Sequence, residues 1–311
     1  MTVLVFCATQ RGVSFLEKLF DLLPDANYYI FSFRETLHEP PFFESIKQLA
    51  STRQARFIDA TGFSTEAYQT ACESIEIDLL FAVSWRYMIP IQLADKARRV
   101  AVVFHDALLP RYRGFAPTVW AILNGESQTG ATLFHLSDSA DSGDIIAQRN
   151  IPIAPDDTIA QVMSRVTQSY LDLLEINLPL LLNGTAPRYP QDASRATYTC
   201  KRIPEDNEIN WHRSTQEIYN LIRGVTHPYP GAFTWLNGKK ITIWSASIPP
   251  DAKPYCGRIP GAVAEIRSNG DVIILTADGM LCVHTVQIEG TEEIPAASVI
   301  KRYASRLGRK S

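Results

Sequence analysis

The chain predicts a doubly wound, mostly parallel α/β sheet followed by a smaller β-rich domain, and three observations carry that reading. Strand-like and helix-like signals alternate over the first 153 residues, the pattern of a parallel sheet built from crossover units. IDLLFAV (77–83) and VAVVF (100–104) are continuous apolar runs without alternation, as strands buried on both faces are. Beyond a proline-rich, polar stretch at 183–208, the dipeptides NG at 237 and 269 and DG at 278 separate β-rich runs, which is the signal of hairpins in a small barrel.

Each element follows in order. Residues 3–7 form the first strand, ATQRG is the first turn, and VSFLEKLFDLL has apolar residues at helical spacing. Residues 27–33 are a second strand. PPFFESIKQLAS opens a helix on proline, with Phe43, Ile46 and Leu49 three apart. A short strand at 56–59, a helix at 66–75 and the strand 77–83 come next, then the loop SWRYMIP (84–90) and the strand 100–104. Residues 116–125 read as a helix with Trp120 and Leu123 inward, GATLFHL as a strand, and 145–153 as a strand antiparallel to its neighbour. A long helix spans about 158–182, capped by DDT and stopped at Asn183 and Gly184, with Pro179 distorting or ending its last turn. The domain boundaries are 1–186, a linker at 187–208, and 209–311, which begins with a helix at 215–224.

A length of 311 residues accommodates two domains at roughly 100 to 200 residues each. A net charge of −3 lacks the polybasic face that dominates binding to a phosphate backbone, which argues against a nucleic-acid partner. Five cysteines, Cys7, Cys72, Cys200, Cys256 and Cys282, are scattered with no CxxC pair, so neither a disulfide framework nor a metal site is expected, and free thiols fit a reducing, cytoplasmic setting. The amino terminus reads as a strand rather than a signal peptide, and no window approaches the ~20 apolar residues of a membrane helix. The histidines His38, His135, His212, His227 and His284 show no metal-ligand spacing, and the basic tail of Lys301, Arg302, Arg306, Arg309 and Lys310 reads as a solvated end.

Chemistry concentrates in HDALLPRYRG (105–114). His105 stands at the tip of a buried strand, and ligands of open α/β sheets bind at the carboxyl ends of strands. The acidic loop SDSADSGDI (137–145) can bring a carboxylate to the imidazole. A neighbouring carboxylate stabilises an imidazolium and makes histidine a better proton acceptor near neutral pH.

HDALLPRYRGFAPTVWAILNGESQTGATLF, then DSADSGDIIAQ, and later INWHRSTQEIYNLIRGVTHPYPGAF together resemble the formyltransferase family that uses 10-formyltetrahydrofolate. That family holds methionyl-tRNA formyltransferase and the amino-sugar N-formyltransferases. The resemblance implies a Rossmann-like catalytic domain and an OB-like carboxyl-terminal domain. It implies His105 as the acid/base residue and Asp141 as its partner. Folate contacts are implied at Tyr87, Met88 and Ile89 through the backbone, at Ala107, Leu108, Leu109 and Pro110, and at Ser137, Asp138, Ser139 and Ala140. One departure is evident: family transferases carry an asparagine two residues before the histidine, whose amide helps hold the formyl oxygen, and this chain has Val103. Losing one oxyanion donor costs on the order of 100 to 1000-fold in rate. Ala107 replaces a serine common before LLP, a milder change.

HDALLPRYRGFAP, TYTCKRIPEDNEINW and PYPGAF are closer to the amino-sugar enzymes. The expected reaction is therefore formyl transfer from 10-formyltetrahydrofolate to a primary amine on a nucleotide sugar, whose phosphates Arg11, Arg202 or Lys201 could meet. The alternatives are methionyl-tRNA formyl transfer, hydrolysis of the formyl donor and a catalytically silent folate-binding module. A homo-oligomer is left open.

Overall fold

The computed structural model describes residues 1–37 and 39–308, so His38, Arg309 and Lys310 lie outside the described residues. Its contacts divide the chain into two units. One comprises residues 1–117, 128–152 and 163–201, the other residues 118–127, 153–162 and 202–311.

In chain order the elements up to residue 182 are β1 (Thr2–Cys7), α1 (Thr9–Leu22), β2 (Asn27–Ser32), α2 (Phe43–Thr52), β3 (Arg56–Asp59), α3 (Thr65–Ala71), β4 (Leu79–Val83), α4 (Ile91–Asp95), β5 (Val100–His105), β6 (Arg113–Gly114), α5 (Pro117–Leu123), β7 (Gln128–His135), β8 (Ile145–Pro152) and α6 (Ile159–Leu182). Seven strands form the sheet of the first unit, in the order β3-β2-β1-β4-β5-β7-β8. The first five are parallel, and β7 and β8 are antiparallel additions at one edge. The strand order turns back between β1 and β4, which places a crevice at their carboxyl ends. Leu4, Phe6, Phe31, Tyr68, Leu80 and Ala101 are fully or nearly buried on one face of this sheet, with Trp85 and Val103 packed against them.

Several boundaries differ from the sequence reading for local reasons. α1 begins at Thr9, so the stretch read as a turn contributes its first helical turn, pressed so closely on β1 that a Cβ on Gly12 would lie 3.1 Å from Cβ of Cys7. The two prolines precede α2 rather than opening it, and the Phe43 amide donates to the Glu35 carboxylate at 3.1 Å instead. α3 stops at Ala71. α6 runs through Pro179, which is exposed, so the carbonyl that loses its partner there can be met by water, and Gly184 at φ +66° ends the chain's helical path. Within α5 the buried residues are Pro117, Thr118, Val119, Ala121 and Ile122. Trp120 and Leu123 are only half-buried, and the Arg202 guanidinium lies over the Trp120 ring at 5.2 Å.

The stretch read as a linker is hydrogen-bonded on both sides of residue 201. β9 (Tyr198–Thr199) pairs with β6 in the first unit, and Asn207 donates to the Gly231 carbonyl in the second at 3.2 Å. The second unit continues with α7 (Thr215–Val225), β10 (Ala232–Leu236), β11 (Lys239–Ser247), β12 (Val263–Ile266), β13 (Val272–Leu275), β14 (Met280–Ile288), β15 (Glu293–Pro295) and α8 (Ala296–Val299). Its strands form one antiparallel sheet in the order β10-β11-β14-β13-β12, with β15 on β14. Asn237 and Gly238 both take positive φ, 51° and 75°, the conformation a two-residue hairpin demands. α7 starts at a capping box in which Ser214 and Glu217 exchange bonds with each other's backbone amides. This is the α/β sheet followed by a β-rich domain that the sequence predicted. Among the described residues, no helix is long and apolar enough to cross a membrane.

Candidate active site

His105 is the last residue of β5, 8% exposed, at the carboxyl edge of the parallel sheet. Its Nε2 lies 2.7 Å from the Tyr112 carbonyl oxygen. A carbonyl only accepts, so Nε2 carries the ring proton and, in the neutral imidazole, Nδ1 carries the lone pair. The chain returns to the histidine because Tyr112 sits in the left-handed region at φ 60° and its amide donates to Thr197 Oγ1 at 2.8 Å.

Asp141 Oδ2 lies 3.7 Å from His105 Nδ1. That is too long for a hydrogen bond and short enough for attraction once the ring is charged. The carboxylate is fixed by the Gly114 amide, which donates to the same oxygen at 2.8 Å. Asp141 itself is at φ 51°, an aspartate-tolerant left-handed position in the 137–144 loop. Behind it, Gln191 Nε2 donates to the carbonyls of Asp141 and Gly143 at 2.9 and 2.7 Å, while its Oε1 accepts from the buried Arg113 guanidinium at 2.7 and 3.2 Å. Gly143 has a specific reason to be glycine, since a Cβ there would lie 1.8 Å from the His135 carbonyl oxygen. Ser137 and Ser142 both donate to the Ser139 carbonyl at 2.9 Å, which ties the loop to itself and leaves Asp138, Ser139 and Ala140 exposed.

The remaining predicted positions divide by burial. Tyr87 and Met88 are exposed beside the end of β4, with Tyr87 edge-on to Phe33 and Trp85, whereas Ile89 is buried. Ala107 and Leu109 are buried, and Leu108 and Pro110 half-buried, in a loop held by Thr132 Oγ1, which donates to the Ala107 carbonyl and accepts from the Leu109 amide. β4 and β5 are paired neighbours, so the loops that follow them flank the same crevice. Val103 shares its face of β5 with His105 and packs into the apolar cluster, where it offers no hydrogen-bond donor.

The structure also assembles a group that sequence reading missed. Asp106 accepts from Arg11 Nη1 at 2.6 and 2.7 Å and from the Tyr170 hydroxyl. Burial opposes its ionisation, but the Arg11 guanidinium and the Tyr170 hydroxyl outweigh that and hold the carboxyl below its usual range. Burial, reinforced by Asp106, pushes the Tyr170 hydroxyl well above a tyrosine's usual value. Arg11 is therefore not a surface arginine awaiting a phosphate: it is 7% exposed and engaged. Arg202 donates to Asp206 and Asn207, and Lys201 is exposed. The adjacency of histidine and aspartate in HD was the one sequence signal available for this group.

Residues 36–174 match the family model described as formyl transferase, and residues 202–304 match the model of its C-terminal domain. Among solved structures, the chain is similar to HypX from Aquifex aeolicus in complex with tetrahydrofolic acid, with a TM-score of 0.64 and 20% identity over 97% of this chain and 47% of that one. It thus spans about half the length of HypX. It is also similar to the N-formyltransferase from Helicobacter canadensis in complex with folinic acid and dTDP-3-aminofucose, with a TM-score of 0.66 and 19% identity over 91% of this chain and 97% of that one. A third likeness is to WlaRD, a sugar 3N-formyl transferase in the presence of dTDP and 5-N-formyl-THF, with a TM-score of 0.67 and 18% identity over 94% and 99% of the two chains. At these identities the structures share a fold, and the two sequence models, covering most of the chain in the expected order, carry the assignment: the chain belongs to the formyl transferase family.

Proposed function

We propose that the protein transfers the formyl group of 10-formyltetrahydrofolate to a primary amine of a nucleotide-linked amino sugar. The observation that carries this reading is the pairing of His105 with Asp141 at the carboxyl end of β5 in a chain of this family. The division of labour follows the sequence reading, with the chemistry in the amino-terminal catalytic domain of residues 1–186.

Attack of the amine on the formyl carbon forms the new C–N bond and a tetrahedral intermediate, and collapse breaks the bond to the folate nitrogen. The amine must lose a proton and the folate nitrogen must gain one. His105 Nδ1, the unprotonated nitrogen, takes the amine's proton. The imidazolium that results faces the Asp141 carboxylate at 3.7 Å, which stabilises it, and can return the proton to the leaving nitrogen. The Tyr112 carbonyl keeps the ring in the tautomer this requires. The loop at 84–90 offers the exposed Tyr87 and Met88 beside the crevice for the pterin, next to the loop at 105–110. The sugar moiety rests on the motif resemblance and on the likeness to proteins whose structures contain dTDP or a dTDP-sugar.

A second reading, hydrolysis of the formyl donor, is favoured by Val103, which leaves one oxyanion donor out of the site. One experiment separates the two. The protein is incubated with 10-formyltetrahydrofolate, with and without dTDP- or UDP-linked amino sugars, and both products are followed by mass spectrometry. Deformylation that requires the amine and yields a formylated sugar supports transfer. Deformylation at the same rate without amine supports hydrolysis, and no turnover in either arm refutes both.

A further inference from the structure

The β-rich unit contains a compact set of donor side chains that the proposed reaction does not use. Asp271, immediately before β13, and Cys282 and His284 on β14 place one donor atom each within 4.8 Å of one another. Cys282 Sγ lies 3.8 Å, and Asp271 Oδ1 2.8 Å, from the same ring nitrogen, His284 Nδ1. The other ring nitrogen, Nε2, lies 2.8 Å from Ser247 Oγ at the end of β11. We infer that Asp271, Cys282 and His284 form a zinc-binding site, with Ser247 orienting the histidine ring.

Three features support this beyond proximity. The donor types are thiolate, imidazole and carboxylate, a mixed set that suits Zn²⁺ better than the hard, all-oxygen cations. Two of the three donor separations are close to those of a filled site. Zinc bond lengths of about 2.0 to 2.3 Å in a tetrahedron put sulfur and nitrogen about 3.5 Å apart and nitrogen and oxygen about 3.3 Å apart. The observed separations differ from these by a few tenths of an ångström. Finally, the sheet is irregular just here: Ser245 pairs with Thr285 and Ala246 with Val283, which leaves His284 as an extra residue without a partner on β11. Such bulges re-aim a side chain, and here the side chain is the histidine.

The surroundings are compatible with a cation. Asp271 Oδ2 accepts from Asn269 Nδ2 at 2.8 Å, leaving Oδ1 directed at the ring. Arg267, the nearby positive charge, is engaged by Asp251 at 2.8 Å and Glu265 at 3.5 Å. His284 is 35% exposed, so an ion and a completing water can approach from its side, while Cys282 closes the buried side of the set. Proton bookkeeping is simple. Without metal, Nδ1–H donates to Asp271 and the Ser247 hydroxyl donates to Nε2. Metal binding releases the Cys282 thiol proton to solvent and moves the ring proton to Nε2, which then donates to Ser247 Oγ, as the second nitrogen of a metal-bound histidine does. Because binding releases a proton, affinity should rise with pH.

The test uses the full chain, stripped with chelator, in a background where the exposed Cys200 and Cys256 are serine. Titration with Co²⁺ should give a thiolate-to-metal charge-transfer band that saturates at one equivalent and is displaced by Zn²⁺, and Zn²⁺ should raise the melting temperature. Cys282→Ser should abolish the band, and Ser247→Ala should weaken Zn²⁺ binding about 10 to 100-fold. If Cys282→Ser fails to fold, His284→Gln, at a part-exposed position, replaces it as the variant that must lose the band. No band under excess Co²⁺, or a band that survives both substitutions, would overturn the site and leave the cluster as a hydrogen-bonded network alone.

Discussion

The ion pair beneath the histidine gives the sharpest quantitative prediction. Asp106→Ala removes the partner of an Arg11 side chain that is 6% exposed, together with the acceptor of the Tyr170 hydroxyl. Among its other contacts Arg11 keeps Thr167 Oγ1 at 3.3 Å, Ser84 Oγ at 3.5 Å and the Tyr170 ring at 4.9 Å, none of which carries a countercharge. Breaking a buried pair by deleting one member costs about 3 to 5 kcal/mol, because the remaining charge stays out of water uncompensated. Asp106 retains 18% side-chain exposure, so the lower half of that range is expected. At about 2 to 4 °C per kcal/mol for a domain of this size, the melting temperature should fall by about 6 to 16 °C. Thermal and urea unfolding followed by circular dichroism measure this. The pH dependence is a separate check. The folded carboxyl titrates below its usual value, so its contribution is complete above the ordinary aspartate range and is lost as pH falls through the depressed folded value. The wild-type protein should therefore lose stability on that acid limb more steeply than Asp106→Asn does. If Asp106→Ala and Asp106→Asn both unfold within about 0.5 kcal/mol of wild type, in the range of ordinary surface changes, the pair is not holding this part of the fold.

Four further outcomes follow from the site. His105→Ala and Asp141→Asn should each lower turnover at least about 100-fold, with folate affinity by fluorescence titration nearly unchanged; a fully active His105→Ala would remove the proposed chemistry. Val103→Asn places an amide on the face of β5 that carries His105 and should accelerate transfer by up to the ~2.7 to 4 kcal/mol of one oxyanion donor, while costing roughly 1 to 3 kcal/mol of stability as a polar group set against the apolar cluster. A variant that loses stability and gains no rate would show that the side chain does not reach the formyl oxygen. Gly143→Ala must push the loop away from the His135 carbonyl, so it should cost about 1 to 3 kcal/mol and lower turnover by displacing Asp141, read as a melt and a rate on one sample. Gln191→Leu leaves the buried Arg113 guanidinium and two loop carbonyls without their shared partner and should destabilise by about 2 kcal/mol or more in urea unfolding, since charged hydrogen bonds are worth roughly 1.5 to 3 kcal/mol each.

What could be read from the sequence was what local pattern encodes. The apolar run of β5 ending on His105, the alternation that gives the parallel sheet, the hairpin glycines and the stop at Gly184 each depend on residues close together in the chain. The groups that were missed depend on residues far apart. Arg11, Asp106 and Tyr170 come from α1, the end of β5 and α6, and a lone arginine in a sequence is indistinguishable from a solvated one. Gln191 braces the aspartate loop from a segment whose proline and polar content signals only a connection. Cys282 and His284 are two apart, but the third donor, Asp271, comes from just before the neighbouring strand, so no spacing along the chain announces the set.

Alternation along β5 explains how one short segment serves two ends. Val103 and His105 point to the face occupied by the first apolar cluster, whereas Phe104 packs on Phe15 and Tyr170 on the opposite face, at ring separations of 5.1 Å. Asp106 continues the second series and bonds the hydroxyl of the same Tyr170. The histidine and the aspartate of HD are thus sent to opposite sides by the period of the strand. One is left facing Asp141 and the crevice, and the other locks the strand end to α1 and α6. A histidine that must keep Nδ1 aimed at a carboxylate 3.7 Å away needs a backbone that does not wander, and the buried pair one residue on supplies that anchor. Asp106→Asn should then reduce turnover as well as stability, because it loosens the strand end that positions the ring.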